Sequence, residues 1–265
     1  MTILEQHPDL LDALRGEMTP KFLATRNATG VPNVVPCISL QPADDQPDTV
    51  FFGNFLLRKS IKNLNEDSRV GILVITPALR GWILKCDFVE FQRTGMYVDQ
   101  VMGGSLLRYN AYTGIRDAGI LRVRSVENTF AFSKMQVMTD YVRARWAGIV
   151  KHSSHGAGVT MPRQVQNEFA KMIAVKVLAW ISDEGYPMIV PTLSMQPAGA
   201  ENLVCRTVPT LPHPPTDAQV ATNILTFEAI SYQAKGKWEL YGDTGKIRVQ
   251  EVYAGGPPLP GGRVA

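Results

Sequence analysis

The sequence predicts a mainly β protein made of two tandem antiparallel β-barrels with flanking helices, and two observations carry this prediction. First, the chain contains one pattern twice: an apolar strand, a polar turn with Gly-x-Pro, a second apolar strand and Gln-Pro-Ala, starting at Phe22 and again at Val177. Second, each copy consists of short β-branched and aromatic runs bounded by Gly, Pro, Asn and Asp, which is typical of strands joined by turns. Such strands suit a small barrel.

The two copies match at identical offsets over their first hairpins. Gly30, Pro32, Pro36 and Gln41-Pro42-Ala43 correspond to Gly185, Pro187, Pro191 and Gln196-Pro197-Ala198. The similarity continues later, where "CDFVEFQRTG" resembles "KGKWELYG" and "LRVRSVEN" resembles "IRVQEVYA". We infer a tandem duplication. Two packed barrels in one chain would then form a pseudo-dimer.

Helices are predicted at four places, of which the one beginning near Leu57 is described below. Apolar residues recur with helical spacing in "HPDLLDALRGEM" and in "TMPRQVQNEFAKMI", each before the first strand of a copy. A third helix, from about Lys134 to Ile149, ends the first half and is followed by a Gly/Ser-rich linker, "VKHSSHGAG". We therefore assign residues 1–150 to one domain and 151–265 to a second. The first half also carries an extra segment, from Met96 to Gly119, that the second half replaces with "DTGK".

Composition excludes several classes of function. A net charge of +3 without long basic blocks argues against a nucleic-acid partner. The cysteines, Cys37, Cys86 and Cys205, form no CxxC pair, so neither a zinc site nor a disulfide framework is predicted. No apolar run approaches the roughly 18 residues of a membrane span, and the acidic N-terminus does not resemble a leader. We expect a cytoplasmic protein that does not bind membranes.

The stretch "FFGNFLLRKSIKNL" combines a strand with a cationic helix start. Apolar residues recur at i, i+4 and i+7 from Leu57, which predicts a helix with Arg58 and Lys59 in its first turn. Cations are unfavourable there because a helix N-terminus is already positive. An anion would relieve this, and free N–H groups with the Ser60 hydroxyl would form a phosphate site. The alternative is a solvated basic face balanced by Glu66 and Asp67 further along the chain.

This stretch resembles the cofactor turn of the pyridoxamine 5′-phosphate oxidase-like flavoproteins, which have the FMN-binding split β-barrel fold. Asn54 and Phe55 match the Asn-Tyr of that family's pattern, and Arg58-Lys59 match the pair that the family uses on the FMN phosphate. The preceding "LATRNATGVPNVVPCISL" resembles the family's first hairpin, whose second strand lies along the flavin. The resemblance covers about residues 10–127, and the second half more weakly.

The resemblance implies FMN as the cofactor and a set of residues that contact it. We expect these to be Pro36, Cys37, Ile38, Ser39, Phe52, Gly53, Asn54, Arg58, Lys59 and Ser60. Two departures remove hydroxyl groups: Gly53 replaces a Thr and Leu57 replaces a Ser, although Ser60 could supply one instead. The C-terminal Arg segment that pyridoxamine phosphate oxidases use for their substrate has no match. The substrate, the electron donor and any catalytic acid or base therefore stay open.

The second half replaces this turn with "RTVPTLPHPPTDAQVATNIL". Its four prolines cannot start the same helix, and the Arg-Lys pair is missing. We expect one FMN site per chain, built by the first barrel and walled by the second.

Other candidate residues have two interpretations each. His152 and His155 could share a metal, but they lie in the linker, and we predict no metal site. His213 could donate a proton or be an ordinary loop residue. Three aromatic residues could stack on a flavin ring or belong to the core: Trp180, Trp238 and Tyr241. Four residues of the extra segment could reach a substrate or pack against the second barrel: Arg108, Tyr109, Tyr112 and Arg116.

The leading prediction is an FMN-binding oxidoreductase acting on a small-molecule substrate or electron donor. Two alternatives remain: a non-catalytic split-barrel binding protein for haem, a deazaflavin or another small ligand, and an interaction module whose site has decayed. The internal pseudo-dimer could satisfy the fold's need for a partner, or it could form a homodimer of such chains.

Overall fold

A computed structural model describes residues 1–55, 57–104, 114–150 and 158–255 together with 261–265, without the side chains of 149 and 150. In the first half, helix α1 (Pro8–Arg15) precedes strands β1 (Lys21–Arg26), β2 (Pro32–Pro36), β3 (Gln41–Pro42) and β4 (Thr49–Gly53), helix α2 (Arg58–Glu66), strands β5 (Arg69–Ile75) and β6 (Arg80–Gln92), helix α3 (Met96–Gly103) and strand β7 (Ala118–Ala131).

In the second half, helices α4 (Lys134–Val150) and α5 (Arg163–Phe169) are followed by strands β8 (Val175–Ile181), β9 (Pro187–Pro191), β10 (Gln196–Pro197), β11 (Asn202–Arg206), β12 (Gln219–Leu225), β13 (Ser231–Tyr241) and β14 (Thr244–Ala254). None of the helices that the structure describes is both long and apolar enough to cross a membrane.

The two halves have the same sheet topology. Each forms a seven-stranded antiparallel sheet, with strand order β2-β1-β5-β6-β7-β4-β3 in the first and, in matching direction, β9-β8-β12-β13-β14-β11-β10 in the second. Even the register agrees, since Ile75 pairs with Gly81 as Leu225 pairs with Ser231. The predicted mainly β class and tandem duplication are confirmed. The two predicted hairpin turns place Gly30 and Gly185 at φ +81° and +82°, where glycine is favoured.

Each copy also begins with a buried lysine. The ammonium group of Lys21 donates to the carbonyl of Gly16 at 2.9 Å, and that of Lys176 donates to the carbonyl of Lys171 at 2.6 Å. Burial lowers the pKa of Lys21 to about 8 and that of Lys176 to about 7. Each lysine bonds the carbonyl of the residue five positions earlier. Lys21 thus closes the loop before β1, and Lys176 closes the equivalent loop before β8.

The halves pack through their first hairpins. Strand β2 lies against the second sheet, where the amides of Asn223 and Gln233 both donate to the carbonyl of Val34. On the pseudo-symmetric side, a Cβ added to Gly71 would lie 2.1 Å from the carbonyl oxygen of Pro187, so β5 and β9 are in close contact. One apolar cluster contains Phe22, Val34 and Leu73 of the first half together with most of the second half's core. The packing is that of a pseudo-dimer.

Helix α4 agrees with the helix predicted from Lys134, and it covers the second sheet. Its Tyr141 carbonyl accepts a 2.7 Å hydrogen bond from the Gln196 side chain, and Ala144 is fully buried. The helix therefore packs on β10 and β11 although the sequence assigns it to the first domain. The division of the chain at residue 150 stays a prediction.

Candidate functional site

A cavity of about 470 Å³ lies between the two halves. The first half supplies the end of β2 with the turn that follows, the end of β4 and the start of α2, while the second half supplies parts of β12, β13 and β14. This volume is within the range of roughly 300–1,000 Å³ that small-molecule and cofactor sites have. Eight of the predicted cofactor residues line it: Pro36, Cys37, Ile38, Ser39, Gly53, Arg58, Lys59 and Ser60.

The start of α2 presents an uncapped helix N-terminus to the cavity. The N-cap residue, Leu57, makes no side-chain cap, and the first turn contains no acidic residue. The first N–H groups of an α-helix have no partner within the helix, so those of Arg58 to Ser60 are available to a ligand. Arg58 is exposed and forms no ion pair with the described residues. An anion would find hydrogen-bond donors and positive charge here.

Two buried polar contacts fix the position of this helix. The side-chain amide of Asn33 donates to the Ser60 hydroxyl at 3.1 Å, and the amide of Asn63 donates to the Thr25 hydroxyl at 3.0 Å. Both tie α2 to the first hairpin. Ser60 therefore has a structural contact as well as a place in the cavity wall, and its own O–H remains available as a donor.

Lys59 extends from α2 to the second half. Its ammonium nitrogen lies over the Tyr253 ring, 2.8 Å from the centroid, which is the arrangement of a cation–π contact. Burial, followed by repulsion from Lys235, lowers the pKa of Lys59 to about 8. The Tyr253 hydroxyl donates to Glu251 at 2.8 Å, and burial and this bond raise the pKa of Tyr253 to about 12. Glu251 also pairs with Arg263 at 3.7 Å.

The turn after β2 forms another part of the cavity wall. The Ser39 hydroxyl accepts a 3.1 Å hydrogen bond from the Gly53 N–H and so joins this turn to the end of β4. Cys37 is buried, and burial raises the pKa of its thiol to about 12. The thiol is therefore neutral at physiological pH, in agreement with its interpretation as a small apolar side chain.

The second half contributes a polar pair to the wall. Asn223 accepts a 3.1 Å hydrogen bond from the Ser231 hydroxyl, and Gln233 bonds Val34 through its amide nitrogen. The other end of Gln233, its side-chain oxygen Oε1, is buried and has no hydrogen-bond partner among the described residues. A buried acceptor without a partner is unusual in native proteins.

Two predicted cofactor residues do not line the cavity. The Phe52 ring is fully buried in the core of the first sheet, because side chains alternate along β4 and this one points inward. Asn54 is buried, and its backbone N–H donates to the carbonyl of Asp117 at 2.9 Å. Both residues help to hold the end of β4 in place, and the expectation that their backbone borders the cofactor stays a prediction.

The structure also explains why Gly53 departs from the family pattern. A Cβ at this position would lie 2.6 Å from Cγ1 of Val101 on α3 and 2.9 Å from Cγ2 of Ile115. Both neighbours belong to the extra segment of the first half. Because that segment packs directly on the end of β4, a side chain at residue 53 has no room.

The pseudo-symmetric position in the second half is filled. Pro191, Thr192, Leu193 and Ser194 are the counterparts of Pro36 to Ser39, but the space beside them is only about 20 Å³. Phe132, residues of α4 and Arg206 border this small space and leave no room for a larger one. Arg206 stands where the first half has Gly53. The cavity therefore has no second copy of similar size in the described parts of the chain.

The remaining candidates lie elsewhere. Trp180 and Trp238 are buried in the core, Tyr241 is partly exposed, and none of the three lines the cavity. His213 lines a separate space of about 20 Å³ in the second half. Arg116 is outside the cavity lining. The candidates His152, His155, Arg108, Tyr109 and Tyr112 lie outside the described residues. No three His, Cys, Asp or Glu side chains in the described ranges are placed to hold a metal ion.

No protein-family model and no curated protein matches the chain. Solved structures that resemble it include an FMN-binding protein from Syntrophomonas wolfei (15% identity, TM-score 0.40), which covers 50% of this chain and 88% of that one. HupZ from Group A Streptococcus (20%, TM-score 0.37) covers 48% and 94%, respectively. HutZ, a haem storage protein from Vibrio cholerae (17%, TM-score 0.35), covers 49% and 95%. Each thus spans about half of this chain and most of its own length.

Proposed function

We propose that the cavity between the two halves binds FMN and that the protein is an FMN-dependent oxidoreductase. The observation that carries this proposal is the start of α2, where unbonded N–H groups, Arg58 and Lys59 meet at one end of an otherwise largely apolar cavity. A phosphate would cap the helix and neutralise both cations. The apolar remainder would accommodate a flat aromatic ring system.

The residues present fit this cofactor at both ends. At the cationic end, Lys59 has a lowered pKa because it is partly buried beside other cations, and a phosphate would compensate that charge. At the apolar end, the backbone from Val35 to Ser39 lines the wall where the flavin ring would lie.

The chemistry itself would come from the flavin, which exchanges hydride or single electrons with its substrate. The chain's own residues would bind, orient and shield it. Among the described lining residues, Cys37 and Tyr253 are the groups with titratable protons besides the cations, and the pKa of each is raised to about 12. Both stay neutral at physiological pH. We therefore assign the protein's contribution to positioning and to exclusion of water, and we assign no catalytic acid or base.

The phosphate assignment predicts the effect of removing both cations. The double substitution Arg58→Ala with Lys59→Ala should weaken FMN binding by roughly 3 kcal/mol or more, about a hundredfold, because two charge-assisted contacts are lost. Quenching of flavin fluorescence during titration measures this affinity. Lys62→Ala is the matched control, because Lys62 lies on the same helix but is exposed and pairs with Glu66. Equal FMN affinity in the double variant and the control would refute the assignment.

A further inference from the structure

The second half contains a buried lysine, Lys235, whose counterpart in the first half is Lys85. The two occupy the same register position, since Lys85 pairs with Ser125 across β6–β7 and Lys235 pairs with Glu251 across β13–β14. Both are part of the duplicated framework. Their electrostatic surroundings nevertheless differ.

Lys85 is neutralised by two carboxylates. Its ammonium group lies 3.0 Å from Glu127 and 2.7 Å from Glu184, the latter on the hairpin of the other half. A buried or half-buried cation with two such partners needs no ligand.

Lys235 lacks both carboxylates. The duplication places Tyr253 at the position of Glu127 and Thr29 at the position of Glu184. The side chain is only 7% exposed and has no hydrogen-bond or ion-pair partner among the described residues. The nearby Glu251 is already engaged by the Tyr253 hydroxyl and by Arg263. The second half has therefore kept a buried lysine and lost the two carboxylate positions that balance the charge of Lys85 in the first half.

Tyr253 connects this lysine to the cationic end of the cavity. The Lys235 ammonium lies 5.9 Å from the centroid of the Tyr253 ring, and the Lys59 ammonium lies 2.8 Å from the same centroid. The two cations therefore share one aromatic ring. They come from different halves of the chain.

We propose that Tyr253, which lines the cavity, and Lys235, which lies beside the Tyr253 ring but outside the lining, extend the anion site begun by Arg58 and Lys59, so that the cavity selects a flavin with a terminal phosphomonoester over the same flavin without it. This inference rests on the proposed function. A phosphomonoester carries close to two negative charges at neutral pH and accepts several hydrogen bonds, so it can engage cations from both halves at once. The second half would then take part in ligand selection as well as forming a wall.

Titrations of FMN and riboflavin into the wild type, Lys235→Met and Lys237→Met test the proposal. Lys235→Met should weaken FMN binding at least tenfold and leave riboflavin binding unchanged, because only FMN carries the phosphate. Lys237→Met should preserve both affinities, since Lys237 lies on the same strand but bonds the Asp217 carbonyl at an exposed position. Lys235→Arg, a second variant that keeps the charge, should retain FMN binding within about threefold of the wild type.

The outcomes separate this inference from the function on which it rests. FMN affinity that is unchanged in Lys235→Met, or equal losses for FMN and riboflavin, would overturn the role of Lys235 while leaving the FMN site in place. Failure of the wild type to bind either flavin would overturn the proposed function and this inference with it. Loss of FMN binding in Lys235→Arg, with a thermal melting temperature equal to that of the wild type, would also contradict a charge-based role.

Discussion

At the residue scale, the site combines cations whose charges are costly in the absence of a ligand. Lys59 and Lys235 lie beside one tyrosine ring, and each has a lowered pKa, mainly because of burial. Arg58 adds a third positive charge at the helix start. Such an arrangement stores unfavourable electrostatic energy that an anion releases. These cations should therefore strengthen binding of the anion and lower the stability of the ligand-free protein.

The pH dependence of binding follows from these pKa values. Both lysines have a pKa of about 8 in place of the ordinary 10.5, in surroundings that also include Glu251, Arg263 and Tyr253. Below pH 8 both are charged, and above it the ligand-free site loses protons. FMN affinity should therefore fall several-fold between pH 7 and 9.5, roughly the range in which its phosphate remains a dianion. Riboflavin affinity should stay constant, and fluorescence titration measures both.

The stability of the ligand-free protein should change with the opposite sign. Between about pH 8 and 10.5 the unfolded chain holds lysine protons that the folded chain has released, so these lysines make stability rise with pH in that window. Urea unfolding without flavin would show this rise in stability with pH.

An FMN affinity that increases from pH 7 to 9.5 would contradict the assignment of these lysines to the phosphate.

At the element scale, α2 and the extra segment with α3 determine the shape of the cavity. Helix α2 is held by the Asn33–Ser60 and Asn63–Thr25 hydrogen bonds, which fix where its N-terminus points. The extra segment packs against Gly53 and closes the far side of β4. The cavity wall at this point is thus backbone, with no room for a side chain.

A substitution at Gly53 tests this packing. Gly53→Ala should lower the free energy of unfolding by about 1–3 kcal/mol, because the new Cβ would overlap Val101 and Ile115. Urea denaturation without flavin measures the change. Gly103→Ala is the control: a Cβ there meets no atom within 4 Å, so it should be neutral or slightly stabilising at the end of α3. If Gly53→Ala were as stable as the control, the extra segment would not pack as described.

The sequence predicts correctly those features of the fold that are local or repeated. The duplication, the hairpin glycines Gly30 and Gly185, and the helix from Lys134 follow from spacing and turn chemistry. Sequence reasoning missed Tyr253 and Gln233, because these two residues reach the cavity only when the second half packs against the first. It also missed Lys235, which lies beside the Tyr253 ring and outside the cavity lining. One signal was present: Lys85 and Lys235 align in the duplication, and the loss of the glutamates beside the second can be read from the sequence.

Alternation along β4 decides which of its side chains face the cavity. The motif placed Phe52 among the cofactor contacts, and the structure turns this ring into the core. A motif match shows which segment is near a ligand, but the pleat of the strand decides which of its side chains face it.

At the scale of the whole molecule, the duplication has produced two different surfaces from one topology. Both halves keep the strand order and register, yet only one side of the pseudo-dimer carries a large cavity in the described parts of the chain. On the other side, α4, Phe132 and Arg206 fill the equivalent space. One half thus supplies the cationic start of α2, and the other half supplies lining residues from β12, β13 and β14.

We expect each chain to bind one FMN in the single large cavity that the described residues form between its two unlike halves. The most direct test is the visible spectrum and flavin content of the purified protein after reconstitution with excess FMN and removal of free ligand. We expect the spectrum of an oxidised flavin, released on denaturation, at one FMN per chain. A Soret band from haem, two flavins per chain, or no bound chromophore after reconstitution would contradict the binding of one FMN per chain in this cavity.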